Sequence, residues 1–191
     1  MSRVTKPVEE RRQEIIDTAK ELFIENGFDK TQMADISKKM NVAQGLVYHY
    51  FKSKTEILYA VVDIIAEERA ATSGKILSEA KGTARDRLAV LFNAQTIRED
   101  YSDLIPIFIS DSAVIEYCLR KMTVSALAQL VSLIESGNAD GSWHFEYPET
   151  VAAFILHGIS GLITTAAPVC REENEQQALL EIVLSIFKSS Q

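Results

Sequence analysis

The stretch Ala43 to Lys54, AQGLVYHYFKSK, sets Tyr48, His49, Tyr50 and Phe51 in a row and follows them with Lys52 and Lys54. Four consecutive rings exceed what a small core draws from one short segment. The two lysines stand in a chain whose net charge is −7. Hydroxyls and ammonium groups bond phosphate oxygens, and an amide side chain beside them reads a base edge, so the chemistry suggested is nucleic-acid recognition. On a helix starting at Gln44, Val47 and Phe51 lie four apart and share a side suited to core packing. Gly45, Leu46 and His49 face the other way, flanked by Gln44 and Tyr48. Gln44 at the helix N-terminus bonds an adenine edge through both amide atoms, and Leu46 meets a thymine methyl. Gly45 leaves room for a phosphate or groove wall. Tyr48, Tyr50, Lys52 and Lys54 face the phosphate backbone, which fixes register without reading sequence. The alternative for the same residues is an aromatic clamp, with Tyr48, His49 and Tyr50 packed between helices.

The elements that must hold this stretch read as all-α. The four prolines, at 7, 106, 148 and 168, fall near element boundaries. A first helix is expected from Glu9 to Asn26, with Ile15, Ala19, Leu22 and Phe23 on one face and Gly27 ending it. Met33 to Met40 makes a short helix with Met33, Ile36 and Met40 inward. Asn41 turns the chain into a second short helix, Gln44 to Phe51. A long helix starts near Lys54 with the stripe Ile57, Leu58, Val61 and Ile65, and Gly74 and Gly82 are expected to break the helical pattern beyond that stripe. Leu88, Leu91, Phe92 and Gln95 mark another helix. Residues 101–112 suit a short helix containing Pro106. Val114 to Ser136 is a long helix closed by Gly137, residues 137–148 form the one long loop, and two last helices cover 149–167 and 172–188. Two short helices joined by a tight turn and packed on a longer first helix are a helix-turn-helix.

Composition bounds the function. Residues 1–54 carry ten Lys/Arg against eight Asp/Glu, a charge of +2, while residues 55–191 carry ten against nineteen, a charge of −9. A slightly basic head on an acidic body makes any nucleic-acid contact local. Two cysteines, Cys118 and Cys170, lack the spacing of a disulfide framework or zinc site; a thiol switch at either has thin support, Arg171 beside Cys170. No charged leader with an apolar run opens the chain and no apolar run is of membrane-spanning length, so a cytoplasmic globular protein is expected.

The segment IIDTAKELFIENGFDKTQMADISKKMNVAQGLVYHYFKSKTEIL, within residues 9–62, resembles the DNA-binding domain of the TetR family of transcriptional regulators. Gly27-Phe28, Thr31, Ile36, Val42, Gly45, Tyr48, Phe51, Lys54 and Leu58 stand at the family's spacings. The resemblance implies an all-helical fold, with a three-helix DNA-binding head over 1–54 and a larger effector-binding and dimerising body over 55–191. It also implies phosphate contacts at Tyr48 and Lys54 and groove contacts around Gln44, Gly45, Leu46 and His49. Asn41 replaces the family's usual Gly in the turn, and Asn tolerates left-handed backbone. Ala43 replaces the usual Ser at the recognition-helix cap, a loss of ~1 kcal/mol. Gln32 replaces a usual Ser or Thr, which leaves Thr31 as the phosphate donor there. Ser37 replaces a small Ala.

In the body, Phe92, Tyr117, Cys118, Met122, Trp143, Phe154 and His157 are candidates for a pocket holding an apolar or aromatic small-molecule effector. Ordinary core packing is the competing reading for each. His144 and His157 have no metal-ligand spacing, and neither metal nor cofactor is expected. Phe154, Gly158, Gly161, Leu162 and Thr165, with Leu180, Val183 and Phe187, form a candidate dimer surface, the small residues allowing close helix approach. The alternative is that they complete the chain's own core. The resemblance implies a four-helix contact across a two-fold axis. The resulting expectation is a ligand-responsive regulator, a repressor binding palindromic operator DNA as a homodimer, with an activator of the same fold as the alternative. An enzyme or a protein-interaction module competes, but no nucleophile–base pair, Gly-rich phosphate loop or metal cluster supports an enzyme.

Overall fold

The computed structural model describes residues 7–93, 112–165, 181–183 and 185–187, with side chains described for all of these except 92, 93, 112 and 162–165. The described residues are helical with turns between, and none forms a strand. The helices are α1 (Val8–Asn26), α2 (Met33–Lys39), α3 (Gln44–Tyr50), α4 (Lys54–Glu79), α5 (Ala84–Asn93), α6 (Ser112–Asp140) and α7 (Pro148–Thr165). Residues 181–183 and 185–187 are also helical. The expected segment 101–111 and the residues Gln95, Leu180 and Cys170 lie outside the described residues.

The chain divides into two compact units. The described part of the first is 7–65 with 112–118, and of the second 66–93, 119–165 and the last helical residues. In the first unit the apolar stripes of the sequence turn inward. Ile15, Ile16, Ala19, Leu22 and Phe23 of α1, Ile36 of α2, Val47 of α3, Phe51, and Ile57, Leu58, Val61 and Ile65 of α4 are all buried. The short α2 packs on both α1 and α3. Also in this unit, the Tyr117 hydroxyl donates to Asp63 Oδ1 at 2.8 Å, and the Tyr59 and Tyr117 rings meet at 4.5 Å.

The second unit is built on Ala84, Leu88, Leu133, Ile134, Trp143, Ala152, Ile155, Val183 and Phe187. Two glycines expected to end helices lie inside them instead. α4 runs through Gly74 to Glu79, and a Cβ at 74 would stand in ordinary van der Waals contact with Gln129 Nε2, 3.4 Å away. Gln129 donates to Ala70 O at 2.6 Å. α6 likewise runs through Gly137 to Asp140, since any side chain at 137 would overlap the Trp143 indole. The helix ends at Gly141, whose φ of +78° suits a residue without Cβ. The loop after it is correspondingly shorter than expected, 141–147.

The start of α5 is fixed from two sides. Thr83 and Asp86 form a reciprocal cap: Thr83 N–H and Oγ1 each donate to Asp86 Oδ2 at 2.8 Å, and Asp86 N–H reaches Thr83 Oγ1 at 3.3 Å. Asp140, at the end of α6, accepts the Ala84 N–H at 2.6 Å and the Ser142 N–H at 3.0 Å. Arg85 donates to the Ser142 and Phe187 carbonyls at 2.6 and 3.3 Å, and Arg87 bonds Ser136. Hydrogen bonds from the Ser142 side chain and the Ala84 backbone hold the Asp140 carboxyl below its ordinary pKa. A carboxylate whose folded pKa is depressed stabilises the fold fully above its unfolded pKa, ~3.9, and the benefit is lost as pH falls through the lower folded value. Asp140→Asn should therefore lower the melting temperature, with a gap to the wild type that is constant from pH 7 to about 5 and narrows only as pH falls below about 4 towards about 2. Circular dichroism melts across that range check it; a gap that stays constant with pH would contradict it.

Candidate nucleic-acid interface

A recognition helix works only if the turn before it is rigid. That turn is a hydrogen-bonded cap on the C-terminus of α2. Asn41 has φ +54°, the one positive φ outside glycine among the described residues. Its N–H donates to Lys38 O at 3.1 Å, and Val42 N–H donates to Ser37 O at 3.0 Å. These two bonds define the Schellman motif, which requires a left-handed residue at the position Asn41 holds. The α2 N-terminus is capped by Asp35, whose carboxylate accepts the Gln32 N–H at 2.8 Å. Ser37 is buried and donates to Ala34 O at 2.9 Å.

α3 begins after Ala43 without a side-chain cap, as its residue type implies. Val47 and Phe51 are fully buried, so the opposite edge of α3 is fixed outward. Gln44, Gly45, Tyr48 and His49 are exposed, and Leu46 and Tyr50 half-buried. Nothing lies within 4 Å of a Cβ built on Gly45. His49 meets Tyr50 edge-on at 5.3 Å, within the same helix. Lys52 is exposed, with Nζ 3.4 Å from Tyr48 O. Its backbone N–H donates to Glu56 Oε2 at 2.6 Å, and Glu56 N–H donates to Ser53 Oγ at 3.1 Å. Ser53 caps the start of α4, and Glu56 reaches back to Lys52, one residue before the position a capping box would use; the S-x-x-E spacing is a signal by which the sequence alone marks this helix start. The Arg12 guanidinium lies 4.8 Å from the Phe51 ring centroid, a contact between residues far apart in sequence.

Thr31 and Lys54, both expected at phosphates, make hydrogen bonds within the chain. Thr31 is 1% exposed, and its hydroxyl lies 2.9 Å from Gly27 O and 3.2 Å from Leu22 O. Its one proton is committed to the end of α1 and is not offered to a phosphate. Lys54 is half-buried and points inward to the turn after α1: Nζ donates to Phe28 O at 2.6 Å and to Asp29 O at 3.3 Å. Burial lowers its pKa from the ordinary lysine value, opposed by the nearby Asp29 charge.

The body candidates fall in both units. Tyr117 and Cys118 belong to the first unit. Cys118 is buried, and desolvation pushes its thiol up to about 12, which makes it a poor thiolate and a poor switch. In the second unit Met122 is half-buried, while His157 and Phe154 are exposed, Phe154 to 70%. Trp143, expected in a pocket, is instead a core residue. It is 2% exposed, stacked on Phe187 at 4.6 Å, and donates its indole N–H to Ile134 O at 2.9 Å. Val183 and Phe187, expected at a dimer surface, are buried in the same core. Their stripe would look alike in sequence for either role. Gly158 and Gly161 have nothing within 4 Å of a built Cβ. The side chains of Phe92, Leu162 and Thr165 lie outside the described set. Among the described residues no group of three His, Cys, Asp or Glu side chains could hold a metal ion, and no helix is long and apolar enough to cross a membrane.

Among the described residues the chain is helical, with an N-terminal helix-turn-helix whose second helix shows a polar edge. The sequence profile of the tetR family of bacterial regulatory proteins matches residues 15–61, from the core of α1 into α4. The Bacillus subtilis fatty acid metabolism regulator protein is 34% identical over 80 residues, covering 42% of this chain and 41% of that relative, so the chain spans less than half of its length. The Staphylococcus aureus regulator QacR is 22% identical over 165 residues, covering 80% of this chain and 84% of QacR. A solved structure of RolR in complex with resorcinol superposes with a TM-score of 0.66 at 21% identity, over 93% of this chain and 87% of that one. Residues 15–61 thus carry the sequence pattern of the tetR-family DNA-binding domain, and the fold of the chain is similar to that of RolR.

Because residue 41 must be left-handed, its substitutions separate backbone from side chain. Asn41→Gly should leave stability unchanged or slightly higher, and Asn41→Val should cost about 1–2 kcal/mol. Urea denaturation of both variants checks this; equal stabilities would show that the cap does not depend on residue type.

Proposed function

We propose that the protein is a transcriptional regulator of the TetR family and a repressor, with residues 1–54 as its DNA-binding head and 55–191 as its effector-binding and dimerising body, acting in the cytoplasm on a palindromic operator. The observation that carries the reading is the division of α3. Val47 and Phe51 are fully buried, while Gln44, Gly45, Tyr48 and His49 are turned to solvent at the helix start. That edge has the chemistry to enter a major groove: an amide for an adenine, a bare backbone position, and a hydroxyl and an imidazole beside them. Lys52, exposed at the end of the helix, suits a phosphate.

Release follows from population shift. An effector that binds the body more tightly in a conformation where the paired heads no longer match adjacent half-sites lowers DNA affinity by that difference. RolR was solved with resorcinol, an aromatic ligand, which supports an apolar or aromatic effector here. Between residues 88 and 170 the basic residues are Arg98, Arg120 and Lys121, so a neutral or cationic molecule suits this body better than a polyanion.

A mobility shift and footprint on DNA flanking the protein's own gene tests the central reading. A protected palindrome is expected, with affinity falling steeply with salt. Gln44→Ala should cost about 1–3 kcal/mol on that site and relax preference at one base position. Lys52→Ala should weaken all sites alike. Transcription from the bound promoter that rises on adding the protein would make it an activator, and absence of any specific complex would remove the reading.

Pairing of two copies is proposed through α7. Phe154 is 70% exposed, and Gly158 and Gly161, four and seven residues on, leave open space beside it. One helix face thus offers a large ring and two notches, which suits packing against a second copy. Phe154→Glu, on an exposed position, should leave the helical signal intact and yield monomers in sedimentation velocity. A stable dimer for that variant would take this face out of the interface.

A further inference from the structure

The C-terminal end of α3 is closed by Phe51, which is fully buried. A face of its ring is covered from α1. The Arg12 guanidinium carbon lies 4.8 Å from the ring centroid, while Arg12 itself is exposed. The arginine beside it is committed elsewhere, Arg11 pairing with Glu14 at 2.7 Å. Arg12 has no such partner among the described residues; Glu9 and Glu10, in the first turn of the same helix, are not paired with it. Lys52, the residue after Phe51, is also exposed. Cations from two different elements therefore stand at the end of α3.

A guanidinium packed on a ring uses only its flat face. Its N–H groups lie in the plane and stay open, in the forked arrangement that matches two oxygens of a phosphate. The ring also restricts a long side chain in advance, so less freedom is lost when a phosphate arrives. When the N-terminal residues of a recognition helix meet base edges, neighbouring elements lie against the strands that wall the groove, and contacts there fix register.

We infer that Arg12 is a phosphate-binding residue of the DNA-binding surface: Phe51 holds its guanidinium at the C-terminal end of α3, where Lys52 also stands. The inference rests on the proposed DNA-binding function. It adds to that function a contact from α1, outside the helix-turn-helix itself.

The salt dependence of binding to a mixed-sequence 30-base-pair duplex, followed by fluorescence anisotropy, reads the phosphates neutralised without needing the operator. Arg12→Met keeps an apolar side chain over Phe51 and removes the charge. The slope of log affinity against log salt should become smaller by about 0.9 for each copy of the chain bound. Arg12→Lys restores a charge and should return the slope to the wild-type value, with affinity below the wild type because the fork is lost. Arg11→Met removes the neighbouring charge, the one paired with Glu14, and should leave the slope unchanged. Circular dichroism melts establish that each variant is folded at the binding temperature, and Arg12→Gln serves if Arg12→Met is not. An unchanged slope in a folded, uncharged variant at position 12 overturns the inference and leaves Arg12 as a cover for Phe51. A slope that Arg12→Lys fails to restore overturns it too. So does an equal reduction in Arg11→Met, which would make the effect one of net charge in the head. If the wild type binds no duplex at any salt, the DNA-binding reading fails and this inference falls with it. A wild type that binds, with the slope unchanged in Arg12→Met, removes the inference alone.

Discussion

Neither α2 nor α3 can exist alone. Seven residues close too few backbone hydrogen bonds to offset the cost of starting a helix, so both are stable only through what their buried sides touch. Ile36 and Val47 supply those sides, and Phe23, Phe51, Ile57 and Leu58 supply fully buried partners from the flanking segments. The outward edge of α3 is a consequence of this burial. Once Val47 and Phe51 are fixed inward, helical geometry leaves Gln44, Gly45 and Tyr48 nowhere to go but the surface. The polar contacts then set register: the Asn41 turn, the caps by Asp35 and Glu56, and the Lys54 and Thr31 bonds to the end of α1 each satisfy backbone groups that short helices leave unpaired.

The head is legible in the sequence because its signals are local. The stripe of α1, the pairing of Val47 with Phe51 and the left-handed tolerance of Asn41 can each be read within one or two helical turns, and each is found where the residue types imply. The contacts that are not legible join residues far apart in the chain. A lysine after an aromatic run has the same appearance whether it faces a phosphate or a carbonyl 26 residues earlier. Thr31 has the look of an available donor because a hydroxyl near a helix start commonly is one, yet the carbonyls at the end of α1 lie closer.

In the body the same limit acts through glycine. Gly74 and Gly137 signal a break in sequence through their low helix propensity, about 1 kcal/mol below alanine. At Gly137 that cost is outweighed because the Trp143 indole needs the vacated space, whereas a Cβ at Gly74 would meet Gln129 only at ordinary contact distance. Apolar stripes are equally ambiguous. Val183 and Phe187 carry the signature shared by a core and an interface, and only their burial in this chain's own core distinguishes the two. Phe154, equally apolar, lies on the outside.

Trp143 is the chain's one tryptophan. It is held in the notch at Gly137 with its indole N–H bonded to Ile134 O, against Phe187 and within the core of the second unit. The protein therefore carries a built-in optical reporter confined to one of its units. Its emission belongs to a dry, apolar surrounding and shifts to the red when that core opens to water. Melting of the first unit alone, which holds no tryptophan, is silent in this signal and visible only in the helical dichroism, so the two light signals together resolve which half of the molecule yields first.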